Sequence, residues 1–565
     1  MNALRRRVSG ISTDTETLAR LGKKQVLKRR FGFWSLFAFA VCELITWETV
    51  LALFSQGFDN GGPAGLVYGF LIAWLSTLSV YTVIAELVSM SPIASGQYFW
   101  VYILAPPKYK KLLSYLVGWL TSLAWVATVA IESLFAGTMI QGALILRYPD
   151  YASQRWQGTL LTWAVMVFNV FINTILPGLL PKFEIMIMVL HVGGFIAIIA
   201  TLLSTSTIGT ASSVFLTSMN LGGWPTQGLS YCVGFLGNVA TFVGADASVH
   251  MAEEVQDAAI NIPRAIVAGM IANGLIGFAM MIATLYCVGD FDSVAETNTG
   301  FPFIQIFVNS VKSVPGAVAM VSIVLALTWA CALGITTTSS RMTWSFARDK
   351  GTPFSRVLSK VDKRTKVPIV SVIVVTVLAA LLTLIYIGSD TAFNDVVSLT
   401  ITGFYGSYFL PCAFLLFHRL RGHVLPYGTE TNNRGILPTP SDGQEEQQAG
   451  VEPTEDEKTV DVHAVEGHTK LVQGRFVWGP WHVPGILGTI NNIYACVYMI
   501  FVIFWSVWPP ATPVSASTMN YSVVVTGGIM LLSGVWYVIR GRREYKGPLV
   551  EEEALQSIRA ATATV

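Results

Sequence analysis

The feature that most constrains this chain is a series of apolar stretches, each long enough to cross a membrane. A helix needs about 20 predominantly apolar residues to span the hydrocarbon core of a bilayer. Such stretches occur at approximately 33–57, 64–89, 115–143, 158–176, 183–204, 227–255, 264–288, 316–346, 368–387, 393–417, 484–507 and 519–540. The sequence therefore predicts an all-α integral membrane protein with about twelve transmembrane helices.

The composition agrees with a chain that lies mostly in lipid. Of its 565 residues, 53% are hydrophobic and 12% are charged, whereas a soluble domain carries about 25% charged residues. The formal net charge of +2 gives no reason to expect a nucleic-acid partner. The six cysteines all lie in apolar runs and form no CxxC pair, so we interpret them as buried apolar residues. We expect no metal and no cofactor.

The uneven distribution of basic residues predicts the orientation. With both termini in the cytosol, the inner segments hold five basic clusters, at 5–7, 28–30, 108–111, 348–366 and 540–546. The outer loops then hold only three basic residues, Arg147, Arg155 and Lys312. Because cytoplasmic loops are enriched in Lys and Arg, this asymmetry favours cytosolic termini.

The spans divide the chain into five parts. These are a basic cytosolic tail (1–32), a core of ten spans (33–417), a cytosolic loop (418–483), two final spans (484–540) and a cytosolic tail (541–565). The loop contains "SDGQEEQQAGVEPTEDEKTVD", which is acidic and has no aromatic residue, and such a composition is typical of a disordered segment. The first tail has no apolar core followed by a cleavage site, so it is not interpreted as a secretory signal.

Two of the spans are interrupted. The first holds four polar residues among aliphatic ones, Glu43, Thr46, Glu48 and Thr49. The sixth holds three glycines before an acid, Gly234, Gly237, Gly244 and Asp246. Two interrupted spans five apart indicate an inverted repeat of five-helix halves, with a binding site between the breaks. The alternative is that these groups only hold helices together inside the bundle.

Three segments, in order along the chain, resemble motifs of the amino acid–polyamine–organocation (APC) superfamily. They are "AELVSMSPIASGQYFWV" (85–101), "FVGADASVHMAEEVQDAAINIPRAI" (242–266) and "SSRMTWSFARDKGTPFSRVLSKVDKRTKVPIVSV" (339–372). Within it, "TWETVLALFSQGFDNGGPAGLVYG" (46–69) and "VHMAEEV" resemble the fungal amino acid/choline transporter family, which includes γ-aminobutyrate (GABA) and choline permeases. The resemblance implies a LeuT-type fold, with spans 1–5 and 6–10 as inverted repeats and broken helices 1 and 6.

The resemblance also implies the location of the site. The unwound part of span one would hold Thr46, Trp47, Glu48 and Thr49, and that of span six would hold Gly244, Ala245 and Asp246. Breaks in helices expose backbone groups and the ends of half-helix dipoles. A solute carboxylate or hydroxyl could take the N–H groups, and an ammonium could take the C=O groups and a side-chain carboxylate.

The charges at membrane depth favour a cationic solute. The acids counted there are Glu43, Glu48, Glu132 and Asp246, and the comparable bases are His191 and Arg341. Carboxylates in a low dielectric must be neutralised by protons or by a cationic ligand. We therefore expect an amine or a quaternary ammonium, with Glu48 as its first partner, ahead of Asp246.

Three tryptophans could provide aromatic faces for such a cation, namely Trp47, Trp125 and Trp329. A cation over an aromatic ring gains about 0.5–2 kcal/mol. The alternative for each tryptophan is simple packing or anchoring at the membrane interface.

His191 is the candidate for proton coupling. Its place in span five resembles that of a lysine which, in proton-coupled members of the superfamily, replaces the cation site of sodium-coupled members. Imidazole can change charge near physiological pH, although a neutral histidine bonded to a backbone carbonyl is an equal alternative. If the protein is driven by sodium instead, three hydroxyls of span eight would line the ion site, those of Thr337, Thr338 and Ser339.

Glu253 and Glu254 follow the second break and, with Arg264, lie toward the cytosol. We expect them to form ion pairs with bases of the inner loops, such as Arg348 or Lys350, and to close an inner gate.

The string "HMAEE" could place His and Glu on one helical face for a metal, but the sequence has no HExxH motif. An enzyme is therefore not expected.

Together these patterns predict a plasma-membrane permease for a small amine-bearing solute, such as an amino acid, GABA or choline. It would import the solute by alternating access, as a proton symporter. The alternatives are a vacuolar or other internal membrane, export of a secondary metabolite, and nutrient sensing by a transceptor.

Overall fold

The structure, a computed structural model, describes residues 14–549 except 16, 20, 149, 389–391, 428–475 and 517. Helices make up almost all of its regular structure, as the apolar pattern predicts. The acidic stretch 441–461 and the basic cluster 5–7 lie outside the described residues. Their expected disorder and cytosolic location stay predictions.

The first half of the described chain consists of helices that lie between the N-terminal tail and the second break. They are α1 (Phe33–Leu44), α2 (Thr46–Ala52), α3 (Phe54–Met90), α4 (Gln97–Leu104), α5 (Lys110–Arg147), α6 (Arg155–Ile175), α7 (Leu180–Thr205), α8 (Ala211–Phe215) and α9 (Gln227–Ala240).

The second half begins after the second break. It contains α10 (Ala247–His250), a 3₁₀ turn (Ala252–Glu254), α11 (Ala258–Tyr286), α12 (Phe291–Ala295), α13 (Pro302–Val311), α14 (Val314–Arg348), α15 (Ser355–Leu358), α16 (Ile369–Thr383), α17 (Ile385–Gly388) and α18 (Ala392–Leu420). It ends with β1 (Val424–Leu425), β2 (Phe476–Val477), α19 (Gly485–Trp505), α20 (Ser522–Trp536), a π-helical turn (Tyr537–Gly541) and α21 (Arg542–Glu544).

Eleven helices in the described part of the chain are long and apolar enough to cross a membrane. The predicted sixth span is not among them, because it is divided into α9, α10 and the 3₁₀ turn. Eleven continuous or kinked spans and one divided span account for the predicted set of about twelve. The expected multi-pass helical fold is confirmed.

The first break is short. Helix α1 ends at Leu44, Ile45 adopts a left-handed conformation (φ 32°, ψ 48°), and α2 begins at Thr46. A β-branched residue rarely adopts positive φ, so the surrounding structure must hold Ile45 in place. A second irregularity at Gly62 (φ 67°) separates the end of span one from span two within α3.

The second break is longer. Helix α9 ends at Ala240, and the four-residue helix α10 starts only at Ala247. Gly244 lies between them with φ 111°, a conformation that glycine adopts without the steric cost of a Cβ atom. Spans one and six are both broken, as the interruptions in the sequence predict.

The broken spans lie inside the bundle. Helix α1 packs against α7, α11 and α14, and α9 packs against α3. At the other extreme, only 11% of the apolar window in 522–544 is buried. The last span therefore leaves most of its surface outside the helix bundle.

The ends of the predicted loop 418–483 are held together. Strands β1 and β2 pair in parallel, with Val424 opposite Phe476 and Leu425 opposite Val477. Helix α18 extends to Leu420, slightly beyond the predicted boundary at 417.

Candidate functional site

The two breaks face each other at the centre of the bundle. The Thr46 hydroxyl donates a hydrogen bond to the carbonyl oxygen of Thr241 at 3.1 Å. A Cβ atom added to Gly244 would lie 3.7 Å from the carbonyl oxygen of Glu43. Side chains from one break therefore meet backbone from the other, which is the arrangement expected of a site built from two broken helices.

Glu48 and His191 form a buried pair next to the first break. The Glu48 Oε1 atom lies 2.7 Å from His191 Nδ1, and both side chains have 0% relative exposure. The remaining polar atoms, Glu48 Oε2 and His191 Nε2, bond to no described residue. Unpaired polar atoms in a buried site are costly, so this pair has a free acceptor and a free ring nitrogen for a ligand or a proton.

The Trp47 ring lies beside the same pair. Its centroid is 5.9 Å from that of His191, and the side chain is fully buried. Its Nε1 atom bonds to no described residue. Trp47 therefore offers both an aromatic surface and a spare N–H group. Thr49, the last predicted residue of this break, is turned to its own helix, where its hydroxyl bonds the carbonyl oxygen of Ile45.

Three further carboxyl groups lie near this pair. The neighbours that act electrostatically on Glu43 are Glu184 and Glu132, and Glu132 in turn faces Glu48. Neither oxygen of Glu43 bonds to a described residue. Gly334 makes room for this carboxyl, because a Cβ atom there would collide with it.

Glu184 is the member of this group that the sequence interpretation missed. It lies in the first part of span five, where an acid usually marks the membrane surface. The available signal was its spacing from His191, since residues seven apart share a helical face.

The second break is organised around Asp246, which is fully buried. Tyr408 donates its hydroxyl proton to Asp246 Oδ1 at 2.5 Å, and the Gln97 amide donates to Oδ2 at 2.7 Å. His250 Nε2 lies 3.5 Å from the same Oδ2. The Asp246 carboxylate is thus satisfied by the protein itself.

His250, which the sequence left without a role, is held on both sides. Its Nδ1 atom bonds the carbonyl oxygen of Ala94 at 2.9 Å, so Nδ1 carries the proton of that bond. The Trp125 ring meets it edge to face, with centroids 5.6 Å apart. Trp125 therefore lies next to the second break, and it also packs on Phe404.

The backbone N–H groups freed at the second break do not point into open space. Gly244 N and Ala245 N donate to the hydroxyl oxygen of Tyr81, at 3.0 and 3.2 Å. The sequence interpretation expected these groups to be available to a solute, and it identified neither Tyr81 nor its neighbours Gln97 and Tyr408. Gln97 lies within the motif at 85–101, which was the only available signal.

Trp329 lies away from both breaks. Its ring packs on Phe168 and Phe183, with centroids 5.0 and 6.1 Å apart, and the side chain is half-buried. These partners belong to α6 and α7. The structure therefore brings Trp47 and Trp125 to the site and leaves Trp329 at the outer side of α14.

The three hydroxyls proposed for sodium lie on α14, which packs against α1. Thr337 donates to Asn173 Oδ1 at 2.5 Å and to the Leu333 carbonyl oxygen at 3.2 Å. The hydroxyls of Thr338 and Ser339 are buried and bond to no described residue.

The residues after the second break form buried ion pairs with α14. Glu253 is bonded by both terminal nitrogens of Arg348, at 2.5 and 3.1 Å, and Glu254 by Arg341 Nε at 2.8 Å. Arg264, which was expected in the same group, is exposed near the start of α11.

A further buried carboxylate, Asp349, joins segments near both ends of the described chain to the end of α14. It forms an ion pair with Lys23 in the N-terminal tail. Its oxygens also accept hydrogen bonds from Tyr98 Oη at 2.8 Å and from the backbone N–H of Leu549 at 3.0 Å. The N-terminal tail is further tied to the end of the 3₁₀ turn, where Phe31 and Val255 form a parallel bridge.

A helical membrane protein with two broken spans that meet at buried charged groups has the architecture of a secondary transporter. The family model described as "Amino acid permease" matches residues 31–529. The chain therefore belongs to the amino acid permease family, within the APC superfamily. Because that family consists of transporters, the expectation that the chain is not an enzyme is confirmed.

Similar proteins come from fungi. A protein of Macrophomina phaseolina named as an amino acid/polyamine transporter is 33% identical over 387 residues, 68% of this chain and 85% of the relative. The choline transporter of Saccharomyces cerevisiae is 27% identical over 522 residues, 92% of this chain and 83% of the relative. The GABA-specific permease of the same yeast is 26% identical over 550 residues, which cover 95% of this chain and 86% of the relative.

Proposed function

We propose that this permease transports a small amine-bearing solute, such as an amino acid, GABA or choline, across the plasma membrane and couples its movement to protons. The observation that carries the proposal is the Glu48–His191 pair, which is fully buried beside the first break and has an unpaired polar atom at each end. The relatives named above share an amine or ammonium group in their solutes, which supports the same class here.

The charge around the first break favours a cation. Four carboxyl groups there form a series of electrostatic neighbours, in the order Glu184, Glu43, Glu132 and Glu48. An ammonium can pair with the free Oε2 atom of Glu48 while it rests against Trp47, and desolvation strengthens both contacts.

Proton coupling follows from the same arrangement. Charged groups at membrane depth are costly unless they are paired or neutralised. His191 is the candidate carrier of the coupling proton, because imidazole can bind and release a proton near physiological pH.

The described contacts support one shared inner end for the basic segments. Arg30 donates to the Thr365 carbonyl oxygen at 2.9 Å, and Lys111 to that of Arg542 at 3.1 Å. With the ion pair between Lys23 and Asp349, these bonds bring both tails and two basic loops together. The positive-inside rule supports a cytosolic location for this end and for both termini.

Uptake of a panel of labelled solutes tests the proposal. The chain is expressed in permease-deficient yeast and assayed at two external pH values, with and without sodium. We expect saturable uptake of at least one amine-bearing solute that increases at the lower pH and is independent of sodium. Uptake that requires sodium would instead favour the unpaired hydroxyls of Thr338 and Ser339 as the ion site.

The same cells test direction and location. Surface labelling of the tagged protein is expected at the plasma membrane, and preloaded cells should retain the solute. Efflux without uptake would favour an exporter, and a nutrient response without measurable flux would favour a transceptor.

A further inference from the structure

The second break contains an internal ligand. Two consecutive backbone N–H groups, those of Gly244 and Ala245, both donate to Tyr81 Oη, at 3.0 and 3.2 Å. Tyr81 is 1% exposed and comes from α3, which packs against α9. Two converging N–H groups in a water-poor site form a binding position that suits an oxyanion. Here a neutral phenol oxygen fills it.

The phenol is part of a chain of hydrogen bonds that ends at a carboxylate. Because Tyr81 Oη accepts two N–H bonds, its own proton points onward, and Tyr408 Oη lies 3.5 Å away. Tyr408 in turn donates to Asp246 Oδ1 at 2.5 Å. The positive ends of the freed N–H groups are thereby linked through two phenols to the negative charge of Asp246, and the network is satisfied without any solute.

A solute carboxylate would be disfavoured at this pair of N–H groups for two reasons. It would have to displace Tyr81 from both N–H groups, and it would then lie close to the Asp246 carboxylate, at the cost of like-charge repulsion. The first break does not offer a substitute, because Glu48 lies in the first turn of α2. Its own negative charge meets the N–H end of that helix.

We propose that Tyr81 is a specificity-determining residue, whose hydroxyl occupies the N–H pair of the second break in place of a solute carboxylate. Among the solutes proposed above, the protein then favours amines or quaternary ammonium solutes whose far end carries a hydroxyl or no ionised group over amino acids and GABA. This inference rests on the proposed function, since it concerns the non-amine end of an amine-bearing solute.

Two pairs of matched solutes test this inference with the purified full-length protein. Choline is compared with glycine betaine, and 4-aminobutan-1-ol with GABA, because the members of each pair differ mainly in a hydroxyl versus a carboxylate. Affinity is measured for each from the concentration dependence of thermal stabilisation. In the wild-type protein we expect the hydroxyl member of at least one pair to bind about tenfold more tightly, a difference of about 1.4 kcal/mol.

The variant Tyr81→Phe removes the phenol oxygen and frees both N–H groups. We expect the ratio of carboxylate to hydroxyl affinity to rise about tenfold. The matched control is Tyr498→Phe, which removes another buried phenol that bonds Thr77 at 3.2 Å and not the N–H groups of the break. A purely structural role for Tyr81 would weaken both members of a pair equally and leave the ratio unchanged, which would overturn the inference.

The affinities of the two solute pairs for the wild-type protein test the role of Tyr81 even if Tyr81→Phe does not fold. Equal or tighter binding of the carboxylate member in both pairs would overturn the role of Tyr81 but leave the proposed amine transport intact. Absence of binding by all four solutes, together with absence of amine uptake in yeast, would overturn the proposed solute class and this inference with it.

Discussion

The two broken spans satisfy their freed polar groups in different ways. At the first break, Glu48, His191 and Trp47 each retain a buried polar atom without a partner among the described residues. At the second break, Asp246 and the two N–H groups of Gly244 and Ala245 are bonded within the protein. The first break therefore retains unpaired atoms on these three side chains, whereas the Asp246 carboxylate and the freed N–H groups of the second break are bonded internally.

The lengths of the breaks account for this difference. The first break is an interruption of the helix at the single residue Ile45, and the next helix begins at Thr46. The second leaves residues 241–246 between two helices. Backbone groups at membrane depth must be satisfied inside the protein, so a longer break requires more internal partners. Tyr81 and its neighbours supply them, while the short break leaves its side chains free.

The largest expected effect comes from removing the charge at the first break. Glu48→Gln should cut uptake of the amine solute about 100-fold, because a charge-assisted bond of about 2–3 kcal/mol is lost. Uptake per molecule at the cell surface is the measurement. The matched control is Glu544→Gln, which changes an exposed glutamate paired with Arg540. Near-normal uptake by Glu48→Gln would remove Glu48 from the site.

The next effect concerns the partner of Glu48. Wild-type uptake should be about tenfold higher at about pH 5.5 than at about pH 7.5, because a larger inward proton gradient drives a proton symporter. In His191→Ala this ratio should fall toward about one. The initial rate of uptake against external pH measures it. A variant that keeps the wild-type pH profile would show that the coupling proton binds elsewhere.

A smaller effect separates the two remaining tryptophans. Trp125→Leu should weaken solute affinity about fivefold, which corresponds to a cation–π contact of about 1 kcal/mol. Trp329→Leu serves as the matched control, because its ring packs on Phe168 and Phe183. Apparent affinities from competition assays give the comparison. Equal losses in both variants would mean that neither ring acts on the solute directly.

The smallest effect on transport is expected at the second break. Asp246→Ala leaves the Tyr408 hydroxyl and the Gln97 amide without their acceptor, so the free energy of unfolding should fall by about 2–3 kcal/mol. Solute affinity of the folded fraction should change less than about threefold. Thermal unfolding and competition assays on the same sample measure the two quantities. Lost affinity with unchanged stability would make Asp246 a solute ligand and erase the contrast between the breaks.

Much of the fold could be predicted from the sequence because its signals are local. Apolar length marks the spans, and both breaks follow from polar residues or glycines inside apolar runs. Glu48 and Asp246 could be singled out for the same reason, since charge at membrane depth is costly. Which atoms partner them could not be predicted, because His191 and Tyr408 come from other helices and depend on how the bundle packs.

Helical faces explain why Trp329 packs on Phe168 and Phe183 and not on the residues of the first break. The face of α14 that meets the first break is marked by Gly334, which accommodates the Glu43 carboxyl. Trp329 lies five residues earlier, and at 3.6 residues per turn this rotates it by about 140° to a different side. The sequence alone does not show which face of α14 meets the first break. Once the contact of one residue such as Gly334 is known, the helical repeat assigns the other residues to a face.

The ion pair of Asp349 with Lys23, and its bond to Leu549, have a consequence for how the protein is handled and regulated. The segments that carry Lys23 and Leu549, near the two ends of the described chain, are fastened to one carboxylate at the end of α14. Any rearrangement that shifts this anchor must pull on both segments at once. A fluorescent fusion, a proteolytic cut or a covalent modification close to either segment should therefore alter the rate at which this end of the bundle opens.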